Sequence, residues 1–591
     1  MGNFRTNYFV TFFGLLLLTG FTLPCRAVAE TFAPTWNFEV SQISFVYGGP
    51  PGKNLPPLIE LADIELEIAG EIKTVSELLA GVLTPFELSL RELQEISQLP
   101  LQYLKSFGYE GLVAFPDPNQ IDPITGEDLR QPGQTGLRIV VWVSRVESVE
   151  FLNGGINPQV FEKLDQLGRN SFLAQEERGK PLTTAHLRYW KRFGKSRSRT
   201  ATTTLMAGEE PGGVRPSVKL GLGKKQGGKI HASNTGTETT GYWILGGTFF
   251  YNQLSGRDDD LEFSAITSDT FERQAFNLKY SLPLLYPDVL NVDFQGGYSS
   301  YDASSFAITQ IDFEGETRFF DFSLQWDPLA WEYENFALGM KLGMRREQVE
   351  AENSLISGRA NADFLIPRMA LVMQTKGSYL RTFTELEIRR NLISVPEHDR
   401  ALLGGVSAVD KATRLKIAHL QSFKIGKWLQ NQWNDNLPAQ WNHHLLLAKF
   451  SGDWGLQKNR HLPQHQFIAG GTGSVRGYPE SLIAGDYGYS ASFDYRMPFF
   501  SGDTGTGLGG ASSELIAFFD WAETFVNQPF SYESDHSIAG AGIGWEIKFS
   551  NGLQARLDLA KPLREINNNG TVLDGTRSSD RRVHSRITWD F

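Results

Sequence analysis

The sequence predicts a transmembrane antiparallel β-barrel of about sixteen strands, preceded by two small periplasmic α+β domains. Three observations lead there. After Gly223 the chain runs in segments of roughly ten residues where apolar positions alternate with polar or glycine positions. That two-residue period suits a wall with lipid on one face and a wet lumen on the other. Second, although 41% of the residues are hydrophobic, nothing beyond the N-terminus approaches the roughly 20 consecutive apolar residues of a spanning helix. Third, the candidate strands come to an even number, and long and short connections largely alternate between them, as such barrels require.

Residues 1–29 read as an export signal: Arg5 gives a positive start, Phe9 to Leu23 is apolar, and Ala27-Val28-Ala29 fits the small-residue cleavage rule. The only cysteine, Cys25, falls inside this signal after Pro24, so a chain beginning near Glu30 has no cysteine and no disulfide. Packing and backbone pairing alone must then stabilise it. A net charge of −11, with no basic block, argues against nucleic acid as a partner.

The first α+β domain is expected over 38–144. Phe38, Val40, Ile43 and Phe45 form an apolar run, and Leu90, Leu93, Leu101, Leu104 and Phe107 keep helical spacing. Pro100 should break or kink that helix, and Gly108 should end it. Tyr109 to Phe115 and Leu137 to Val143 read as strands, joined by a solvated loop over 116–136. A shorter copy spans 145–224. Its helices are expected at Gln159 to Leu167 and after Thr183 or Thr184, with Leu187, Trp190 and Phe193 on the second, and its strands at Arg199 to Met206 and Val214 to Leu222. The repeated β-α-α-β-β order, with GYEGLVAF at 108–115 and AGEEPGG at 207–213, resembles polypeptide-transport-associated (POTRA) domains.

The barrel is expected over 225–591, with strands near 229–236, 240–252, 259–268, 273–282, 288–300, 317–327, 336–350, 362–373, 376–389, 412–424, 441–452, 486–497, 513–521, 536–549, 552–560 and 583–591. The dyad is plain in Tyr487, Tyr489, Ala491, Phe493, Tyr495 and Met497, which alternate with Gly488, Ser490, Ser492, Asp494 and Arg496. Asn551-Gly552 marks a tight hairpin. The long connections 301–316, 390–411, 453–485 and 561–582 all fall on the outer side, whereas 425–440 and 498–512 are long for inner turns. Gln464 to Ala469 is too short to span and is placed in the connection 453–485. The chain ends RVHSRITWDF, with Trp589 and the terminal Phe591 on the apolar face.

Within 453–485 lies GGTGSVRGY: Gly470, Gly471, Ser474, Val475, Arg476, Gly477 and Tyr478. Glycines let this backbone take positive φ and press against a wall, and one guanidinium sits at its centre. Asp520, in FFDWA at 518–522, alternates to face the lumen because Phe519 and Trp521 flank it on the other face. A fixed carboxylate there would compensate a desolvated arginine. Enzyme readings fail. Arg476 stands where a dinucleotide fingerprint needs glycine and no helix follows. His461 and His465 sit in a loop, which argues against a metal site, and no nucleophile elbow is found. No cofactor is expected.

VRGY at 475–478, FFDWA at 518–522 and two POTRA-like units before a barrel together resemble the two-partner secretion transporters, the TpsB type of FhaC and ShlB. These belong to one superfamily with the insertases BamA and TamA. The resemblance implies that the loop folds into the lumen and that Arg476 pairs with Asp520 of an F-x-D-x-G motif, whose Phe518 is kept and whose glycine is here Ala522. It implies that Trp589 and Phe591 belong to the signal read by outer-membrane assembly machinery. It further implies an ATP-independent outer-membrane channel that captures a large exoprotein at the POTRA units. The rival readings are a barrel insertase and, behind it, a passive porin. The eight residues Glu30 to Asn37 are too few for a plug helix and its linker, so gating is expected to rest on the loop.

Overall fold

The computed structural model describes residues 37–48, 55–58, 65–68, 71–81, 85–122, 125, 127–172, 179–194, 198–237, 239–285, 289–303, 313–327, 336–353, 358–404, 407–433, 443–501, 510–531, 533–568, 571–573 and 575–591. The export signal with Cys25, and most of the segment Glu30 to Asn37, lie outside these residues. The chain divides into two compact units, residues 1–150, 171–187 and 204–217 in one and residues 151–170, 188–203 and 218–591 in the other.

In the first unit the apolar run at 38–45 is split at Ser41 into strands Asn37–Val40 and Gln42–Tyr47. The second pairs in parallel with Gly136–Val143, which pairs antiparallel with Leu112–Pro116. The helix Leu90–Ser106 starts at a capping box, Ser89 with Glu92, and runs unbroken through Pro100. Pro100 thus ends neither the helix nor its apolar face: Leu93, Ile96, Leu99 and Leu104 are all buried, and that burial outweighs one lost backbone bond. Gly108, at φ 83°, closes the helix, with its N–H bonded to Lys105 and that of Tyr109 to Leu104, the Schellman pattern. Two further departures from the sequence reading occur. The strand expected from Tyr109 begins at Leu112, and a hairpin of Glu65–Ile68 with Glu71–Thr74 precedes the helices. In the turn at 207–213, the Glu147 carboxylate accepts the N–H groups of Glu209 and Glu210, each at 2.8 Å.

Helices Pro158–Phe172 and Thr184–Arg192 and strands Arg199–Ala207 and Gly213–Leu222 follow in the expected order. Within the second unit, Arg199 forms a fully buried ion pair with Asp258. Gln253 also donates to the Ser198 carbonyl at 2.8 Å, so the start of that strand is tied to the turn at 253–259.

The rest of the second unit is a closed antiparallel barrel of sixteen strands. They are β1 Gln226–Ser233, β2 Ile244–Asn252, β3 Asp260–Ser268, β4 Arg273–Leu285, β5 Leu290–Ala303, β6 Phe313–Trp326, β7 Phe336–Asn353, β8 Gly358–Lys376, β9 Leu380–Arg390, β10 Thr413–Lys424, β11 Leu445–Gly455, β12 Tyr487–Ser501, β13 Ser512–Phe525, β14 His536–Lys548, β15 Leu553–Pro562 and β16 Arg582–Asp590. Each sequence-derived strand has its counterpart. Burial is inverted relative to a water-soluble protein. Phe249, Phe263, Phe320, Leu342, Phe519 and Ile543 are exposed, while Asp321, Glu347, Asp453, Asp494, Asp520 and Asp558 are buried. This is a wall made to face lipid outward.

Three features of the barrel matter below. β7 and β8, 18 and 19 residues long, exceed the roughly 9–11 residues needed to span. The extended part of that hairpin packs Val349, Ala351, Ala360, Ala362 and Phe364 against Leu402, Leu403 and Leu462. The connection read as a long turn at 425–440 carries a helix, Ile425–Trp433. β1 and β16 close the ring through five residue pairs, Lys229–Ser233 against Arg586–Asp590, the shortest register among the described barrel seams. It is extended by Phe591, whose N–H and carbonyl both bond Gly228.

Candidate functional site

The connection between β11 and β12 turns inward through a short 3-10 turn at Pro463–His465 and a two-stranded ribbon, Phe467–Ala469 with Ile483–Gly485. Its base is tied to the β13–β14 connection. Arg460 donates to both carboxylate oxygens of Glu533, at 2.5 and 2.6 Å, and lies over the Phe530 ring. Buried Asp486 accepts the N–H groups of His461 and Asn527, each at 2.7 Å.

The ribbon carries the GGTGSVRGY tip. Gly470 (φ 125°), Gly471 (φ 78°) and Gly477 (φ 98°) occupy the left-handed region that disfavours side chains. Ser474 accepts the Gly470 N–H at 2.7 Å, and the Glu480 carboxylate accepts the N–H and hydroxyl of Thr472 at 2.7 and 2.8 Å. Val475 and Tyr478 are fully buried, packed with Ala469, Ile483, Ala522 and Ile538. Ala522 thus contributes a methyl group to the packing beneath the tip. The Tyr478 hydroxyl lies 2.8 Å from the Ala539 carbonyl and 2.7 Å from that of Arg564, and it accepts the Arg564 N–H at 3.1 Å.

Arg476 and Asp520 meet. Nε and Nη2 donate to the two Asp520 oxygens at 2.6 and 2.7 Å, and the Arg476 backbone N–H donates to the same carboxylate at 3.0 Å. The arrangement is larger than a pair. Nη2 also donates to Asp494 at 2.6 Å and to Ser492 at 3.2 Å, Nη1 lies 3.8 Å from Asp558, and the guanidinium stacks 3.6 Å above the Phe518 ring. Ser492 in turn donates to Asp520 at 2.6 Å. Charge-assisted, bidentate bonds and a cation–π contact thus converge on one side chain that is 6% exposed. Burial acts to depress the Arg476 guanidinium, but the carboxylates of Asp520 and Asp494 outweigh it and hold its pKa above the ordinary value.

Sequence reasoning singled out Arg476, Asp520 and Phe518 but not Asp494, Ser492 or Asp558. It also missed Gly540, which lies opposite Asp520 in the β13–β14 register. A Cβ there would intrude on the carbonyl oxygen of Arg476. The signal was present: Gly540, Gly542 and Gly544 recur at every second residue of β14, leaving a smooth lumenal stripe for the loop. Trp589 and Phe591 stand apart from this site. They are half-exposed on the outer face, with ring centroids 5.3 Å apart. No group of three or more His, Cys, Asp or Glu side chains among the described residues is arranged to hold a metal ion.

The profile of the haemolysin secretion/activation proteins ShlB/FhaC/HecB matches residues 218–547, more than half of the chain. Among solved structures, CdiB from Escherichia coli is similar over 96% of this chain and 93% of its own, at 15% identity and a TM-score of 0.56. CdiB from Acinetobacter baumannii covers 95% and 91%, at 12% identity and a TM-score of 0.53. BamA from Haemophilus ducreyi lacking POTRA domains 1–3 covers 94% and 100%, at 13% identity and a TM-score of 0.52. At these identities the likenesses concern the fold. No curated protein sequence matches the chain.

Proposed function

Because the chain belongs to the ShlB/FhaC/HecB family of haemolysin secretion/activation proteins, outer-membrane two-partner secretion transporters, we propose that it exports one large partner protein through its lumen without ATP. Residues 38–144 and 145–224 act as two periplasmic POTRA-type domains that receive the partner unfolded. The sheet of the first unit offers Gln42–Tyr47 and Leu112–Pro116 as outer strands, and an extended secretion signal would add to one of these edges by backbone pairing. Folding outside the cell then draws the chain through. Residues 1–29 direct export of the transporter itself, and Trp589 and Phe591 are read by the barrel assembly machinery.

The observation that carries this reading beyond membership is the loop. A porin needs an open lumen, whereas here an inward-turned connection is fastened at its base by Arg460 and Asp486 and at its tip by Arg476. Such a loop makes the barrel a gated conduit. The likeness to BamA supports a second reading, insertion of other barrels into the outer membrane.

Both readings meet one experiment. Cells making the transporter and its partner are compared with cells making a transporter that lacks residues 38–217. The partner is assayed in the medium and other outer-membrane barrels are quantified. Loss of the partner from the medium, with other barrels unchanged, is the expected result. Export that persists without residues 38–217 would overturn the capture step, and a general loss of other barrels would favour insertion.

A further inference from the structure

A second cluster of charged groups lies away from Arg476. It lines a cavity of about 410 Å³ between β7–β11 and the first limb of the inward loop. Its centre is a mismatch of charge. Asp453 is shared by three cations: Arg414 (Nη2 at 2.5 Å, Nε at 3.0 Å), Arg389 (3.2 Å) and Lys416 (3.7 Å). The other lining carboxylates are engaged as well. Glu347 is taken by Arg345 at 2.8 Å, Glu387 is shared at 3.8–4.0 Å by Arg368 and Arg389, and Asp410 accepts the Val395 N–H at 2.8 Å. Six lining cations thus stand against four lining carboxylates, with buried Asp486 on the His461 backbone N–H nearby.

Donor atoms are also left over. Arg414 is 5% exposed, yet its Nη1 has no hydrogen-bond partner. His461, 3% exposed, has neither ring nitrogen partnered, and Nε2 of His465 is unpartnered too. Buried guanidinium and imidazole N–H groups in this state cost free energy, and proteins seldom leave them so. All three residues line the one cavity.

We propose that this cavity binds a small inorganic oxyanion of the phosphate class, held by Arg414, Lys416 and an imidazole N–H of His461. An oxyanion offers several acceptors to convergent donors, as this set requires, and its charge offsets the local excess of cations. A passing polypeptide is the poorer fit, because the unpartnered atoms of Arg414 and His461 belong to side chains almost closed to solvent. Since Arg414 and Lys416 belong to the wall and His461 to the loop, the anion would fasten the loop to the wall at a point distant from Arg476.

Full-length protein in detergent is titrated with inorganic phosphate by calorimetry, at constant ionic strength in chloride. One saturable site is expected. Arg414→Lys keeps a cation beside Asp453 but removes the free Nη1, and Lys416→Gln alters a partly exposed side chain with little risk to folding. Each should weaken phosphate binding about tenfold or more, the size of one lost charge-assisted bond. Lys449→Gln, in a different part of the lumen, should leave it unchanged. Binding absent from the native protein, matched by chloride, or unchanged from the native value in both cavity variants would overturn the proposal.

Discussion

Arg476→Ala is expected to stop export of the partner while the barrel still assembles. The substitution removes the cation that pairs with Asp520 and bonds Asp494, while Arg556 stays 3.7 Å from Asp494 and 3.0 Å from Asp558. Breaking a buried charge pair from one side costs on the order of 3–5 kcal/mol, and a water-filled lumen reduces the cost of the residual carboxylates. None of the sixteen strands draws a ladder bond from Arg476, so heat-resistant mobility on gels should be kept. The loop tip loses its fastening. In planar bilayers the variant should show larger and more frequent conductance steps, and the tip should become open to protease. Asp520→Ala should do less, because Asp494 still holds Nη2, and the double variant should be no worse than Arg476→Ala alone. Normal export together with unchanged conductance in Arg476→Ala would refute this account.

Gly540→Ala should come close to the same outcome without touching a charge. The added methyl group would press on the carbonyl of Arg476, and neither partner can yield. β14 is held on both sides by its ladders, and the loop backbone is fixed by its own turn. Overpacking of this kind typically costs 1–3 kcal/mol, here against the seated loop rather than the strand. A lifted tip with an intact barrel is the expected result, read by the same conductance and protease assays. Gly247→Ala in β2, where a Cβ meets nothing nearer than 3.6 Å, serves as the control and should change nothing. A Gly540→Ala protein that exports normally would show that the tip does not need this seat.

How far the sequence was legible depended on the range of the signal. Alternation is local, and it placed β3 and β10 within one residue of their observed limits, at 260–268 and 413–424. Pro100 misled because its local cost is overridden by the buried face of a helix anchored at both ends. The hairpin at 65–74 was missed because its strands have four residues each, too few for a period to emerge. At the site, Arg476 and Asp520 could be matched through short motifs. Asp494 and Asp558 could not, since alternation tells which face a residue is on but not its height. Only the register across β12–β15 sets these carboxylates level with the loop tip.

The five-pair joint between β1 and β16 sets how the ring responds to load. A closed hoop under tension or thermal agitation parts at its weakest link, whatever the strength of the other fifteen. Amide protons along Lys229–Ser233 should therefore exchange with deuterium before those of the eighteen-pair joint between β7 and β8. Phe591 acts there as a clasp across the hoop, its backbone bonded both ways to Gly228. Without those two bonds the joint would rest on its five pairs alone.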